Sequence, residues 1–395
     1  MSVSNPGYPL LVPGETYCGA GRAAAVLGAV LGRFGARVAV ARGGGSYPAS
    51  LVRDAARAAG VTLVELPPQC REPEADDVDA AVALARDAGV DAVLAVGGGS
   101  VLDVGKAVAA LAAQDGPAPV REFLEGVGEG RRLTRDPLPF LAVPTTAGTG
   151  SEATTNAVIA SRREGYKKSL RDPRMMASVV ILDADLTRSL PPHRTAWSGL
   201  DAVTQLIEAV TSRFARPATD ALAWHGLRRA RALPAAVHDG ANRPAREAML
   251  LAAHDSGRCL ANAGLGAAHG IAAALGAHAE IPHGLACAVA LPWVMAVNAP
   301  AVGARYEEAV AALTGERVDV AGAIRAVWTL LRELDIPRVS AVPALAPLFA
   351  EAALPGIAAA CRGNSLRGNP RALSADDLIR LLRAMRDAEH PLTLL

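Results

Sequence analysis

The sequence has almost no net charge and few cysteines, and both shortages narrow the class of protein it can be. Its 40 basic and 39 acidic residues nearly cancel, so it lacks the strong positive field that attracts nucleic acid. Its five cysteines are scattered and odd in number, and none belongs to a Cys-x-x-Cys pair. This pattern argues against a disulfide framework and against a cysteine zinc site. We therefore expect reduced thiols and no nucleic-acid partner.

Membrane-spanning and secretion signals are also missing at the level of the sequence. A helix needs about 18 apolar residues to cross a bilayer, and we expect no apolar run in this sequence to reach that length. Residues 1–13 lack a basic segment followed by an apolar core, so no secretion signal is indicated. The 51% hydrophobic and 20% charged content is typical of globular proteins in water. These features predict a cytoplasmic protein without a membrane partner.

A change of pattern near residue 190 predicts two domains, as the length of 395 residues also does. Before it, short β-branched runs alternate with Ala-rich amphipathic stretches, which is typical of βαβ units and a mainly parallel sheet. We expect strands at 36–41, 61–66, 90–96, 140–144 and 178–182, with helices at 21–34, 48–59, 78–88 and 100–113. The remainder is predicted to be helical, at 198–212, 217–232, 243–260, 266–276, 284–297, 304–313, 318–334, 345–361 and 375–388. The predicted domains are an α/β domain over 1–190 and an all-helical domain over 191–395.

Two loops in the first half are suited to a nucleotide. The strand at 90–96 leads into Gly97-Gly98-Gly99-Ser100 and then a helix, and glycines before a helix start allow close approach of a phosphate. The strand at 140–144 leads into a second loop, PTTAGTGSE, at 144–152, which should emerge at the same carboxyl edge of the sheet. Ordinary tight turns are the alternative for both loops. For Asp103 and Lys106, the alternative is dipole compensation and a solvated lysine.

Six segments together resemble the iron-containing, or group III, alcohol dehydrogenase family. They are GGGSVLDVGK (97–106), PTTAGTGSE (144–152), ILDADLTRSLP (181–191), GLDAVTQLIEA (199–209), NAGLGAAHGIA (262–272) and IPHGLACAVALP (281–292). The resemblance implies a Rossmann-like nucleotide domain followed by an all-α metal and substrate domain, the fold shared with dehydroquinate synthase. It also implies NAD(P)-linked conversion between an alcohol and an aldehyde or ketone, by a homodimer.

The resemblance also implies which residues bind the cofactor. Gly97, Gly98, Gly99 and Ser100 correspond to the pyrophosphate loop. The remaining correspondences, which line the path from adenine to nicotinamide or lie near the cofactor, are Thr145, Thr146, Thr149, Ser151, Asp103, Lys168, Leu186 and Leu190. Arg42 ends an early strand where relatives that prefer NAD often carry Asp, so it is expected to pair with a 2′-phosphate and to favour NADP slightly.

The family's metal ligands are an Asp, a His four residues later, and two further His fourteen residues apart. The matching residues are Asp201, Gln205, His269 and His283. Gln205 is a departure, because an amide oxygen is a weaker ligand for Zn²⁺ or Fe²⁺ than an imidazole nitrogen. We expect the metal to bind, with loosened affinity, and Asp201, His269 and His283 to be catalytic. In the alternative, Gln205 hydrogen-bonds the substrate and the site holds no metal. Glu208 extends the same helix face but matches no ligand position, and is interpreted as structural.

Other departures concern the substrate and the reaction. Ala273 and Trp293 stand where relatives often carry histidine, which predicts a less basic pocket. Two rival interpretations remain open: a metal-free reductase resembling maleylacetate reductases, and a lyase resembling dehydroquinate synthase. A nucleotide-binding module without catalysis is a more distant alternative.

Overall fold

The computed structural model describes residues 9–45 and 47–395, and a parallel sheet organises the first half of this part of the chain. The strands are β1 Glu15–Cys18, β2 Arg37–Arg42, β3 Thr62–Glu65, β4 Ala92–Gly97, β5 Phe140–Pro144, β6 Asn156–Ser161, β7 Tyr166–Arg171 and β8 Val179–Leu182. Six of them form the sheet in the order β1-β8-β5-β4-β2-β3, and β6 and β7 form a separate antiparallel hairpin. The predicted mainly parallel sheet is confirmed.

Helices cover both faces of the sheet, which explains why its central strands are continuously apolar. Residues of β4 and β5 are all buried, as expected for strands of a two-sided parallel sheet. Along β2, Val38 and Val40 belong to one hydrophobic cluster while Ala39 and Ala41 belong to another, because successive side chains point to opposite faces. The covering helices are α1 Arg22–Leu31, α2 Ala49–Ala59, α3 Ala75–Asp87 and α4 Gly99–Ala112.

Helices form the rest of the chain and enclose a third hydrophobic cluster. They are α5 Pro192–Thr211, α6 Pro217–Ala230, α7 Leu233–His238, α8 Arg243–Ala263, α9 Ala267–His278, α10 His283–Thr314, α11 Val320–Glu333, α12 Leu354–Ala360 and α13 Ala375–Asp387. The combination of an α/β part with an all-helical part confirms the predicted fold class. The boundary at residue 190 stays a prediction; the last strand ends at Leu182 and α5 begins at Pro192.

The long helix α10 bears on two expectations from the sequence. It consists of two helical segments that meet at a kink at Val302, where φ is −139° and ψ is 24°, so the predicted break between helices 284–297 and 304–313 is confirmed. By length and composition alone α10 could cross a membrane, so the expectation that no apolar run is long enough is wrong. However, 78% of its most apolar window is buried inside the protein. Contacts with neighbouring helices therefore account for its apolar character.

Candidate active site

The two glycine-containing loops lie side by side at the carboxyl edge of the sheet. Gly97 and Pro144 are partners in the β4–β5 pairing, and the Thr145 backbone N–H donates to the Gly97 carbonyl at 2.9 Å. A Cβ atom on Gly99 would lie 2.7 Å from the Thr149 side chain. The helix α4 begins at Gly99 without a side-chain cap, so its first N–H groups are suited to an anionic ligand.

Asp103 and Lys106 hold the second loop rather than face solvent. Asp103 accepts hydrogen bonds from the Ser151 hydroxyl at 2.5 Å and from the Val158 backbone N–H at 3.0 Å. Lys106 is only 1% exposed and donates to Thr154 Oγ1 at 2.7 Å and to the carbonyls of Ser151 and Asn156. Burial lowers the pKa of its ammonium group. The alternative of a solvated lysine is therefore wrong.

The other residues predicted to bind the cofactor are spread around this edge. Thr145 is buried, and the half-buried ones are Gly98, Gly99, Ser100, Thr146, Thr149, Leu186 and Leu190. Lys168 is exposed on β7, whereas its neighbour Lys167 is nearly buried and lies 2.8 Å from Glu72. Their roles toward a cofactor stay predictions.

Arg42 lies at the end of β2 and already has an acidic partner. Its Nε is 2.7 Å from a carboxylate oxygen of Glu65 on β3. Its guanidinium carbon also lies 5.4 Å from the ring centre of Tyr47. A 2′-phosphate would therefore have to compete with Glu65 for this side chain.

Asp201, His269 and His283 come together between α5, α9 and α10. Asp201 Oδ1 lies 3.3 Å from His269 Nε2 and 3.8 Å from His283 Nε2. The two imidazole ring centres are 5.5 Å apart. Asp201 and His269 are almost fully buried, and His283 is partly accessible. Three metal-ligand side chains therefore converge on one small volume.

Gly284 explains how the start of α10 approaches α5 so closely. A Cβ atom at this position would overlap the backbone carbonyl of Trp197 and would lie 3.3 Å from the Cβ of Asp201. Only glycine leaves this space free, and the preceding residue, His283, is thereby placed beside Asp201. Local sequence and packing thus fix the distance between two of the three candidate ligands.

Glu208, interpreted as structural from the sequence, contacts the site directly. Its Oε2 lies 2.6 Å from His269 Nδ1, and its Oε1 accepts from the Ala268 N–H at 2.7 Å. A carboxylate only accepts hydrogen bonds, so His269 Nδ1 carries a proton, and Nε2, which faces Asp201, is the nitrogen left to bind a metal ion once it loses its own proton. The spacing from Asp201 could have indicated this role, since residues seven apart share a helix face.

Gln205, one turn after Asp201, directs its amide elsewhere. Its Nε2 donates to the Thr149 carbonyl at 3.2 Å, and its Oε1 accepts from the Ser256 hydroxyl at 2.7 Å. The side chain is 2% exposed. Its ligand role stays a prediction, and the contact it makes joins α5 to the second nucleotide loop.

Cys287 is a fourth residue of the cluster and was not predicted. It lies one turn after His283 on α10, fully buried, with its Sγ 3.6 Å from His283 Nε2. Ligand atoms of Asp201, His269, His283 and Cys287 all lie within 4.8 Å of one another. The four-residue spacing from His283 was a signal available in the sequence, because such pairs share a helix face.

The ionisation of the cluster suits a divalent cation. Burial alone would raise the pKa of Asp201, but His283 and His269 lower it. Burial, with Lys167 nearby, lowers the pKa of His283. Burial also disfavours a charged His269 ring, yet the acidic groups around it, Cys287 foremost, raise its pKa well above the ordinary value. In the metal-free protein a proton therefore sits among acidic groups, where a metal ion would replace it.

Trp293, which stands where relatives often carry histidine, packs its ring against another tryptophan. It is 2% exposed and packs edge-to-face on Trp328 of α11, with ring centres 5.9 Å apart. Its size is therefore accommodated within the helical core. Ala273, one turn after His269, is half-buried.

Comparison with known proteins covers nearly the whole chain. Residues 13–184 match the family described as iron-containing alcohol dehydrogenase, and residues 195–386 match the C-terminal part of the Fe-containing alcohol dehydrogenase family. The probable alcohol dehydrogenase EutG of Escherichia coli is 40% identical over 330 residues, which are 82% of this chain and 80% of that protein.

Solved structures agree with this result. A 1,3-propanediol oxidoreductase superposes with a TM-score of 0.88 at 29% identity, covering 96% of this chain and all of the other. The sulfoacetaldehyde reductase of Bifidobacterium kashiwanohense, solved with NAD⁺, has a TM-score of 0.85 at 25% identity and covers 98% of this chain and 100% of that one. The chain therefore belongs to the iron-containing alcohol dehydrogenase family, and it is an oxidoreductase that acts as an alcohol dehydrogenase or aldehyde reductase.

Proposed function

We propose that the chain interconverts a small alcohol and its aldehyde or ketone, using NAD(P) and a divalent metal ion, Zn²⁺ or Fe²⁺, held by Asp201, His269 and His283. One observation carries the proposal: α5 joins the two halves of the site. It provides Asp201 to the cluster, and one turn later Gln205 hydrogen-bonds the Thr149 carbonyl of the nucleotide loop. The redox cofactor and the substrate oxygen would therefore be held by one rigid element.

The residues present fit both groups. Asp201 Oδ1 lies 3.3 Å from His269 Nε2, which matches the separation of about 3.3–3.4 Å expected for oxygen and nitrogen ligands that share a tetrahedral ion. Its distance to His283 Nε2 is longer, at 3.8 Å. Glycines at positions 97–99 leave the loop without Cβ atoms, at the uncapped start of α4. When bound, a divalent ion polarises the carbonyl oxygen of a substrate, and the nicotinamide supplies or accepts the hydride.

The chain's own side chains orient these groups and exclude water. Glu208 fixes the His269 ring so that Nε2 faces Asp201, and Gly284 fixes His283 beside the same carboxylate. Asp201 and His269 are 1% and 3% exposed, and low solvent access strengthens the electrostatic interactions of such a cluster. Correct placement of the reacting groups contributes a large part of the rate in such enzymes.

The decisive experiment measures NAD(P)H oxidation with a panel of small aldehydes by the purified full-length protein, before and after chelation and after metal return. We expect chelation to abolish turnover and Zn²⁺ or Fe²⁺ to restore it. Asp201→Ala and His269→Ala should lower kcat/KM more than about 100-fold, beyond the effect of residues that only orient a ligand. His238→Ala, at an exposed histidine ending α7, is the matched control and should not.

Other outcomes would contradict specific parts of the proposal. Full turnover after complete metal removal would favour the metal-free reductase. Conversion of a substrate without net change in NADH would favour the lyase. If both ligand variants kept wild-type turnover, the assigned site would be wrong.

We further propose that the enzyme is a cytoplasmic homodimer, because the resemblance to the family implies a dimer and its five free cysteines suit a reducing compartment. Light scattering of the purified protein coupled to size exclusion would test the dimer. A monomeric mass across the working concentration range would contradict it. Fractionation of the source cells would test the location.

A further inference from the structure

Cys287 lies in the same cluster as Asp201, His269 and His283, but the proposed function gives it no role. Its sulfur lies 3.6 Å from His283 Nε2, and it is fully buried on the face of α10 that carries His283. Cysteine thiolates are strong ligands for zinc and other soft or borderline metals. The other buried cysteines, Cys259 and Cys361, lie outside the group of converging ligand atoms.

Gln205, which the family pattern places in the fourth ligand position, is hydrogen-bonded to other partners at both ends of its amide. Its amide donates to the Thr149 carbonyl and accepts from the Ser256 hydroxyl. Rotating the amide toward a metal ion would break both bonds of a side chain that is only 2% exposed. Unsatisfied buried polar groups cost about 1–3 kcal/mol each in general, so the present arrangement of Gln205 opposes a ligand role.

The distances within the cluster fit a thiolate ligand. Typical bonds of about 2.0–2.1 Å to imidazole nitrogen and about 2.3 Å to thiolate sulfur place these two atoms about 3.6 Å apart on a tetrahedral ion. The observed separation of His283 Nε2 and Cys287 Sγ is 3.6 Å. The oxygen of Asp201 and Nε2 of His269 are 3.3 Å apart, where about 3.3–3.4 Å is expected for the same ion.

We propose that Cys287, and not Gln205, supplies the fourth protein ligand, so that the ion is held by one carboxylate, two imidazoles and one thiolate. This inference rests on the proposed metal site. The thiol proton leaves to solvent as the sulfur binds the ion, and no oxidation or reduction is involved. Because a thiolate replaces a nitrogen or amide ligand, the site should prefer Zn²⁺ to Fe²⁺.

Cobalt substitution tests the ligand directly and requires no turnover. The full-length protein is stripped of metal, loaded with Co²⁺ and examined for the near-ultraviolet charge-transfer absorption that a thiolate–cobalt bond produces. We expect the band in the wild type, in Gln205→Ala and in the control Cys259→Ser, and its loss in Cys287→Ser. Zn²⁺ affinity, measured by competition with a chelator, should fall more than about 100-fold in Cys287→Ala and less than about threefold in Gln205→Ala.

The outcomes separate the ligand assignment from the metal site itself. If Co²⁺ binds stoichiometrically, depends on Asp201 and gives no thiolate band, the role of Cys287 is overturned while the metal site stands. If neither Co²⁺ nor Zn²⁺ binds to the folded wild type, both fail. The wild-type spectrum decides the question even if the Cys287 variants do not fold.

Discussion

Replacement of Glu208 by Gln is the sharpest test of how the cluster is oriented. The carboxylate accepts from His269 Nδ1 at 2.6 Å and from the Ala268 N–H at 2.7 Å. A glutamine has one oxygen for these two donors. If that oxygen stays with the Ala268 N–H, the new NH₂ group faces Nδ1, and two donors meet. The imidazole must then move its proton to Nε2, which removes the lone pair that a metal ion needs.

The magnitude follows from the bond that is lost. Hydrogen bonds to charged groups contribute about 1.5–3 kcal/mol, which corresponds to about 10–150-fold in an equilibrium constant. Substitution of a residue that orients a metal ligand costs about 10–100-fold in metal affinity or activity. We therefore expect the Zn²⁺ dissociation constant of Glu208→Gln to rise about 10–100-fold. At saturating metal, kcat should recover more than the affinity does.

The assay is chelator competition on the folded, metal-free protein. Glu152→Gln is the matched control, because Glu152 is also a buried glutamate beside a histidine, 3.3 Å from His254 Nδ1, but lies outside the ligand group. Its Zn²⁺ affinity should change less than about twofold. If Glu208→Gln bound Zn²⁺ as tightly as the wild type, the orienting role of Glu208 would be refuted.

Three further predictions concern packing, the loop anchor and the cofactor. The methyl group of Gly284→Ala would overlap a backbone carbonyl of α5. The free energy of unfolding, measured by denaturant titration, should therefore fall by about 1–3 kcal/mol, and Zn²⁺ affinity should fall with it. The control Gly356→Ala should show no such loss, because its added methyl meets nothing within 4 Å. Lys106→Met leaves several buried acceptors unpaired and should lower the free energy of unfolding by about 3–5 kcal/mol. It should also raise KM for the cofactor, because Lys106 holds the second nucleotide loop. An unchanged KM would show that this contact stabilises the fold without affecting cofactor binding. Glu65→Gln frees Arg42 from a partner at 2.7 Å, and because exposed ion pairs contribute about 1 kcal/mol at most, the ratio of kcat/KM for NADPH over NADH should rise no more than about fivefold; a fall in this ratio would contradict the phosphate-binding role.

The sequence was sufficient for the central strands and the outline of the sheet, because their signal is local. β4 and β5 are continuous apolar runs that end at glycine or proline, and such runs predict buried strands. Strand β1, with sequence ETYC, and the β6–β7 hairpin were not predicted. β1 is half-exposed and short, and its place in the sheet depends on pairing with β8, which lies more than 160 residues later. Pairing at that separation leaves no periodicity in the sequence.

In the helical half, local sequence patterns likewise predicted most elements, but not all of them. Most helices follow from apolar residues at helical spacing, and the break within α10 was also predicted. The chain leaves helical geometry at Val302, two residues after Pro300, as expected where a proline removes a backbone hydrogen bond. The predicted helix at 345–361 is instead a 3₁₀ segment, Pro343–Phe349, followed by α12. Proline at position 347 favours the break.

Only some residues of the metal-ligand cluster could be predicted from the sequence, for a different reason. Asp201, His269 and His283 could be found by resemblance, because each carries a side chain that the family pattern requires. Glu208 and Cys287 do not match that pattern, and their roles depend on which helix faces meet. Once α9 and α10 pack against α5, the face of α5 at 201, 205 and 208 and the face of α10 at 283 and 287 become opposite walls of one site.

Two residue pairs with the same four-residue spacing, one on α5 and one on α10, contribute differently to the cluster. On α5, Asp201 faces the cluster while Gln205 connects to the nucleotide loop through the Thr149 carbonyl. On α10, His283 and Cys287 both face the cluster. In the proposed arrangement, Gln205 therefore joins the cofactor loop to α5 and does not bind the ion. The thiol at 287 replaces it with a ligand of higher zinc affinity. A histidine at 205 would supply an imidazole ligand in place of the thiolate that Cys287→Asn removes. We therefore expect the double variant Gln205→His with Cys287→Asn to bind metal more tightly than Cys287→Asn alone.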